Sequence, residues 1–305
     1  MSVTDTKTMT AEQRVAGKVL VPRQTERSFY PTLLKYLSLV ARYTVLILFA
    51  LICLIPLFWV LSSSLKTTRE IALNPLGFPT AFRWENYVEA WTVGRFGKYF
   101  ANSVIVSAPI VLGTLLLASL AGYGLARLKF RGATVVFYTF LVGLMVPFQS
   151  VMIPLFYLLK DIGFLGTYWA MIVPSIALGL PFGIFFMRAF FSGLPQELAD
   201  AAEIDGCNEW GVFWRVMLPL AGPAVSTLSV LSFMGAWNSF LLPLIYMQKE
   251  ELRPLVLGLM FFRDAYTQNI PLTMAGATIV MLPIIVVYLF FQRKFIQGLT
   301  AGALK

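Results

Sequence analysis

Residues 195–223 read PQELADAAEIDGCNEWGVFWRVMLPLAGP, a short polar island between two long apolar stretches. Pro195 suits the first turn of a helix, Glu197 and Asp200 fall near its positive N-terminal end, and Gly206 is a stop signal. Asn208 is a candidate N-cap for a second short helix, in which Val212, Phe213, Val216 and Met217 share one face before Pro219 ends the run. The expected shape is helix, glycine, helix. Ala201 and Ala202 keep the first helix narrow, so that another protein surface approaches its backbone closely. A connector lying flat on the bilayer would instead carry basic residues on its polar face. Between Arg188 and Arg215 stand Glu197, Asp200, Glu203, Asp205 and Glu209 against those two arginines alone, a balance that anionic lipid repels.

On either side of the island the chain is membrane-like, with 58% hydrophobic and 13% charged residues and a mean hydropathy of +0.75. Uninterrupted charge-free runs cover 43–65, 99–126, 132–159, 162–187, 216–248 and 265–292. Each exceeds the roughly 20 residues that cross a bilayer as helix. The expectation is an all-α, polytopic membrane protein with six transmembrane helices: residues 1–42 form an N-terminal arm and lead-in, 43–292 the membrane domain, and 293–305 a tail. Six crossings put both termini on one side. Placing them in the cytoplasm leaves 15 of the 24 Lys and Arg inside, including the short cluster Arg127, Lys129 and Arg131. The acidic island, as a loop at 188–220, then faces the cytoplasm.

Other readings lose ground on specific residues. The net charge of +9 flanks membrane runs rather than forming an aromatic-interleaved patch, which argues against nucleic acid. There is no histidine, and Cys53 and Cys207 lie too far apart for a disulfide or a metal site. A first apolar run so long and so far from Met1 does not read as a cleavable signal. The two Gly-Lys pairs, at Gly17-Lys18 and Gly97-Lys98, are followed by Val and Tyr rather than Ser or Thr, so the phosphate-binding loop of an ATPase is missing. No HExxH, paired carboxylate or activated nucleophile supplies a catalytic residue. A proton-coupled carrier keeps ionisable groups inside its spans at about 2.5–3.5 kcal/mol each, and the six runs hold none. Energy is therefore expected from a partner.

The island resembles the EAA signature of binding-protein-dependent ABC importer permeases, matching at Ala201, Ala202, Asp205, Gly206, Leu218, Pro219 and Pro223. Asp200 stands where the family has Glu, and Cys207 where it has Ala. From about residue 43 the chain is similar to the smaller permease of maltose-type carbohydrate importers, through Ser64-Leu65-Lys66, Asn86-Tyr87, GTYWAMIVP at 166–174, Gly235-Ala236-Trp237-Asn238 and QGLTAGALK at 297–305. The resemblance implies the type I ABC importer permease fold in a bacterial inner membrane. It also implies a second, related permease subunit, two ABC ATPase subunits that hold ATP and Mg, an extracytoplasmic solute-binding protein and a carbohydrate substrate. No cofactor is implied on this chain.

The same resemblance assigns ATPase coupling to Asp200, Ala201, Ala202, Asp205, Gly206, Leu218 and Pro219. It also implies that the external stretch 248–271 reaches toward the binding protein and that 297–305 runs along the ATPase. For the substrate path the candidates are Gln149, Trp237 and Asn238, because buried amides need partners and aromatic faces suit sugar rings. Ser103, Ser107 and Thr114 on one run, and Ser226 and Ser229 on another, read as close-packing stripes. Pro147, Pro174, Pro181, Pro243 and Pro283 are expected to kink or break spans. Two other cargo readings stay open: glycerol phosphate or another polyol on the same machinery, and a stand-alone secondary carrier.

Overall fold

A computed structural model describes residues 29–262 and 269–303, with side chains for 35–262 and 269–293. Among the described residues every regular element is helical. In chain order these are α1 (Phe29–Ser64), α2 (Thr68–Leu73), α3 (Glu85–Thr92), α4 (Phe96–Arg127), α5 (Ala133–Met145), α6 (Phe148–Asp161), α7 (Trp169–Gly193), α8 (Glu197–Ile204), α9 (Glu209–Val212), α10 (Leu218–Leu220), α11 (Gly222–Trp237), α12 (Leu241–Tyr246), α13 (Leu255–Gly258) and α14 (Ile270–Ala303). Residues 1–55 make one compact unit, described from Phe29 on by the first part of α1, an apolar helix with exposed Leu46, Ile47 and Phe49. Residues 56–305 make the other.

Four helices are long and apolar enough to cross a membrane: Lys35–Ser64, Phe96–Arg127, Trp169–Gly193 and Ile270–Arg293. The count reaches six if each of two bent pairs is one span. The run at 132–159 is broken between α5 and α6, whose axes turn by 100°. Pro147 lies in this break, with extended backbone at Val146 and at Pro147 itself, as the restriction on residues preceding proline requires. Pro174 and Pro181 are instead carried inside the unbroken α7, and Pro283 inside α14. The run at 216–248 is divided as well: α11 ends at Trp237 and α12 restarts at Leu241. The helix of the first run begins at Phe29, well before the expected 43, and α14 continues through Ala303 into the expected tail.

Helices α4 and α7 form the centre. Small residues let them approach: a methyl on Gly183 would lie 2.8 Å from Ala118 Cβ, and one on Gly122 would lie 2.9 Å from the Arg188 backbone nitrogen. Gly179 and Gly183 thus act as a small-xxx-small face against Thr114 and Ala118, and Gly122 seats on Met187 further along. A buried cluster at one end of this pair joins Tyr123, Met187 and Phe191 to Val212, Phe213 and Met217 from the island. Another cluster, around Phe96, Tyr99, Trp237, Leu255 and Phe262, closes the opposite end. The packing stripe holds in part: Ser103 and Ser107 are buried, and Ser103 Oγ accepts the Leu255 N–H at 2.8 Å.

Candidate functional site

The polar island folds as helix, glycine, helix. At the end of α8 the N–H of Gly206 bonds to the Glu203 carbonyl at 3.0 Å and that of Cys207 to the Ala202 carbonyl at 2.9 Å, the paired bonds of a Schellman cap. Gly206 sits at φ +86, the left-handed conformation this cap demands and only glycine adopts freely. Asn208 then caps α9, its Oδ1 accepting the Gly211 N–H at 2.9 Å. Pro219 does not end the run. A π-helical turn over Phe213–Met217 precedes it, the Leu218 N–H reaches back to the Phe213 carbonyl, and the proline sits in α10, where no N–H is needed. The bend comes two residues later at Ala221, turning the axis by 76° between 209–220 and 222–237.

Each face of α8 has its own task. Ala199 and Ala202, only 7% exposed at the latter, pack inward against the cluster with Phe191 and Phe213. Ala202 therefore seats the helix on its own chain. Leu198, Ala201 and Ile204, at a spacing of three, point outward, and Ile204 is 87% exposed. Asp200, Glu203 and Asp205 surround them. Asp200 accepts Gln196 Nε2 at 3.0 Å, and Trp210 on α9 adds a further exposed aromatic. The sequence reading named the alanines and missed Leu198, Ile204 and Trp210, although the three-residue spacing was there to be read.

Two side chains of α4 tie this island to the membrane helices. Arg127 donates to the Gln196 side chain at 2.6 Å, to the Phe191 carbonyl at 2.6 Å and to the Leu194 carbonyl. It thus adds to the capping of α7, where the Phe191 carbonyl also takes the Leu194 N–H, and fixes the entry into α8. Tyr123 donates its hydroxyl to Glu209 Oε2 at 3.0 Å while its ring packs edge-on to Phe191. Arg188 spans from α7 to the Leu125 carbonyl and lies 3.9 Å over the Phe137 ring.

A cavity of about 440 Å³ opens between α4, α6, α7 and α11, lined by Thr114, Gln149, Ser175, Ser232, Ser239 and a set of apolar and glycine positions. Its polar groups are hydroxyls and one amide, and no lining residue is charged. Of the three candidates, Gln149 faces this cavity. Trp237 does not: it is buried, its indole N–H donates to the Val280 carbonyl at 3.1 Å, and its ring packs on Phe100 and Phe233. It staples α11 to α14. Asn238 caps the end of α11 through its backbone and is exposed beside Ser239 without lining the cavity. Of the four hydroxyl residues Thr114 was read only as part of a packing stripe, and Ser175, Ser232 and Ser239 become its neighbours only when separate elements converge.

The stretch at 248–271 is held down on its own chain in its first half. Leu255, Leu257 and Phe262 are buried, Asn102 Nδ2 donates to the carbonyls of Glu251 and Arg253 at 2.8 and 2.9 Å, and Glu250 takes Tyr99 at 3.1 Å and Arg95 at 3.4 Å. The Asn269 N–H bonds to the Phe262 carbonyl at 3.3 Å. Arg263, Asp264 and Gln268 lie outside the described residues, as do the side chains at 297–305.

Residues 114–300 match the family of binding-protein-dependent transport system inner membrane components. The chain belongs to this family. The permease is 37% identical over 265 residues to a diacetylchitobiose uptake system permease protein of Streptomyces coelicolor, covering 86% of this chain and 88% of that one. Against an arabinooligosaccharides transport system permease protein of Halalkalibacterium halodurans the identity is 37% over 260 residues, covering 84% and 92%. Its fold matches a chain of a solved bacterial ABC transporter involved in the import of the acidic polysaccharide alginate, with a TM-score of 0.71 at 24% identity, covering 85% of this chain and 97% of the other. It is thus a multi-pass inner-membrane permease of a binding-protein-dependent ABC importer, and not the ATPase of that system.

Proposed function

We propose that the permease forms half of the path for a neutral sugar or oligosaccharide, paired with a second permease over two ATPases that bind ATP and Mg, and fed by an external solute-binding protein. Both termini and the island are cytoplasmic in this reading. The carrying observation is the island itself: an apolar face of Leu198, Ala201 and Ile204 within a ring of carboxylates, on a helix locked at both ends. That face docks into the ATPase. The rigid links at Arg127 and at Tyr123–Glu209 pass ATPase closure to α4 and α7, whose tight packing moves them as one body. Gln149, with Thr114, Ser175, Ser232 and Ser239, lines this subunit's share of the cavity.

Saccharide cargo is supported by the relatives, which are permeases of diacetylchitobiose and arabinooligosaccharide transport systems, and by the cavity lining, which offers hydroxyls and an amide but no cation for a phosphate. Reconstitution in liposomes with the partners that co-purify with the permease tests this reading, using labelled neutral oligosaccharides and glycerol phosphate. ATP-dependent uptake of the oligosaccharide is expected. Uptake of glycerol phosphate alone, or ATP-independent uptake by the permease on its own, would overturn it.

A further inference from the structure

The start of α4 carries four polar side chains, Arg95, Tyr99, Asn102 and Ser103, at the spacing that stacks residues along one helical face. All four bond to the same short segment. Arg95 and Tyr99 reach the Glu250 carboxylate at 3.4 and 3.1 Å, Asn102 Nδ2 donates to the carbonyls of Glu251 and Arg253 at 2.8 and 2.9 Å, and Ser103 Oγ accepts the Leu255 N–H at 2.8 Å. The Arg95 pair is exposed and adds little. Asn102 is the strong member: it is 3% exposed, both hydrogens of its amide are used, and its Oδ1 accepts the Tyr168 hydroxyl at 2.7 Å from the residue that precedes α7. One buried amide thus joins α4, α7 and the segment 250–255.

What the segment holds in its turn is a wall of the cavity. The break between α11 and α12, at Ser239, Phe240, Leu241 and Leu242, lines that cavity, and α12 runs on through Met247 to the segment. On the way Leu242, Tyr246 and Met247 pack with Val106 of α4 and with Ala170 and Met171 of α7 in one buried cluster. Tyr246 also donates its hydroxyl to the Met152 carbonyl of α6 at 2.8 Å. Asn102 lies beyond this cluster, since Ile110, the cavity residue of α4 nearest to it, is eight residues on, about 12 Å down the axis. Helix α12 is therefore a cover between the cavity and the end of α4, and its far end is tied down by Asn102. A buried amide is costly to strand. The cover cannot lift from α4 and α7 without leaving Asn102 and Tyr168 unpaired.

We infer that Asn102 is a positioning residue for transport: with Tyr168 it bolts α12 and the segment 250–255 to the α4–α7 pair, and so sets how readily the cavity opens toward the external side. The bolt stands at the opposite end of α4 from Tyr123 and Arg127, which hold the island. A helix pair packed as tightly as α4 and α7 thus carries a polar fastening at each end, one for the island and one for the cover. This inference rests on the proposed reading of the cavity as the path and of 248–271 as external. It is independent of the cargo and of the coupling role of α8.

The test reads the external accessibility of a cavity position, Ser232→Cys, in the full-length permease with Cys53→Ala and Cys207→Ala, expressed with its partners and labelled in spheroplasts by a membrane-impermeant maleimide. Asn102→Asp keeps the size of the side chain and an acceptor for Tyr168 but removes both donors. It is expected to raise the labelling rate of Ser232→Cys several-fold, while Ser119→Cys, buried nearer the island end of α4, is labelled no faster. Tyr168→Phe, which removes one bond and leaves both donors, should act in the same direction by less, and it decides the matter if Asn102→Asp does not reach the membrane. An unchanged rate at Ser232→Cys in membrane-inserted protein of both variants would overturn the proposal. An equal rise at Ser119→Cys would overturn it in favour of general loosening. Asp161→Cys, at the exposed end of α6, reports the orientation by itself. Its labelling in inverted vesicles alone would overturn the topology on which the inference rests, whatever the Asn102 variants do.

Discussion

The island at 195–223 and the turn after α1 are both short connections between apolar helices, yet they are held by opposite means. The island's own turns are set by local signals, a left-handed Gly206, an Asn208 cap and bonds between residues three to five apart, and only its attachment to α4 is made at a distance, by Arg127 and Tyr123. The turn after α1 is fixed at a distance, by a lysine ammonium reaching carbonyls eight and eleven residues on and by Asn86 reaching back twenty-two. A locally determined connection keeps its shape when another protein presses on it, which suits a part that transmits force. A connection held by one buried charge is a seat and not a lever. Removing that charge should loosen the seat and leave the lever's shape intact.

The largest effect that sharpens this contrast is expected at Gly206. Gly206→Asp forces a Cβ into the left-handed region and adds a charged side chain to the open surface at the end of α8, so uptake falls to background while the chain stays in the membrane. Transport assays alongside immunoblots of membrane fractions check this, and normal uptake would break the comparison. Lys66→Met comes next: two carbonyls lose their donor, at about 1–2 kcal/mol each, so the detergent-solubilised chain should melt several degrees lower. Smaller again is Tyr123→Phe, which removes one hydrogen bond between α4 and the island at about 1 kcal/mol. It should reduce coupled ATP hydrolysis several-fold with the same membrane level, and an unchanged ATPase rate would take Tyr123 out of the linkage.

The smallest effect is one of pH. The Glu70 carboxyl is held below the ordinary carboxylate range, first by the Thr80 N–H and also by the nearby Lys66. A depressed folded value means its contribution is present above the unfolded value and fades as pH falls through the folded one. Limited proteolysis of the turn after α1 should therefore quicken slightly in acid, and Glu70→Gln should flatten that dependence.

Much of this was legible because it was local. Gly206 and Asn208 announced the island's shape, although α8 begins only at Glu197, two residues beyond Pro195, and charge-free runs announced the spans. The sequence could not show that Pro147 sits in a full break while Pro174 and Pro181 do not. A proline needs its freed carbonyl satisfied by neighbours, and which neighbours are present is a tertiary fact. The place of Trp237 was illegible for the same reason: its N–H finds a carbonyl forty-three residues away, so the ring is buried as a link between α11 and α14. Gln149 lines the cavity, but its four hydroxyl companions come from separate elements that no spacing rule connects. Ile204 was overlooked because the alanines drew the reading, although Leu198, Ala201 and Ile204 recur on one helical face.

The central claim is that this exposed face grips the ATPase. The most direct measurement purifies tagged wild-type and Ile204→Asp permease from native membranes in mild detergent and quantifies the companions of each by mass spectrometry. The account expects a stoichiometric ATPase with the wild type, and its loss with Ile204→Asp while the second permease is retained and the membrane level is unchanged. Equal ATPase recovery with both proteins would contradict it.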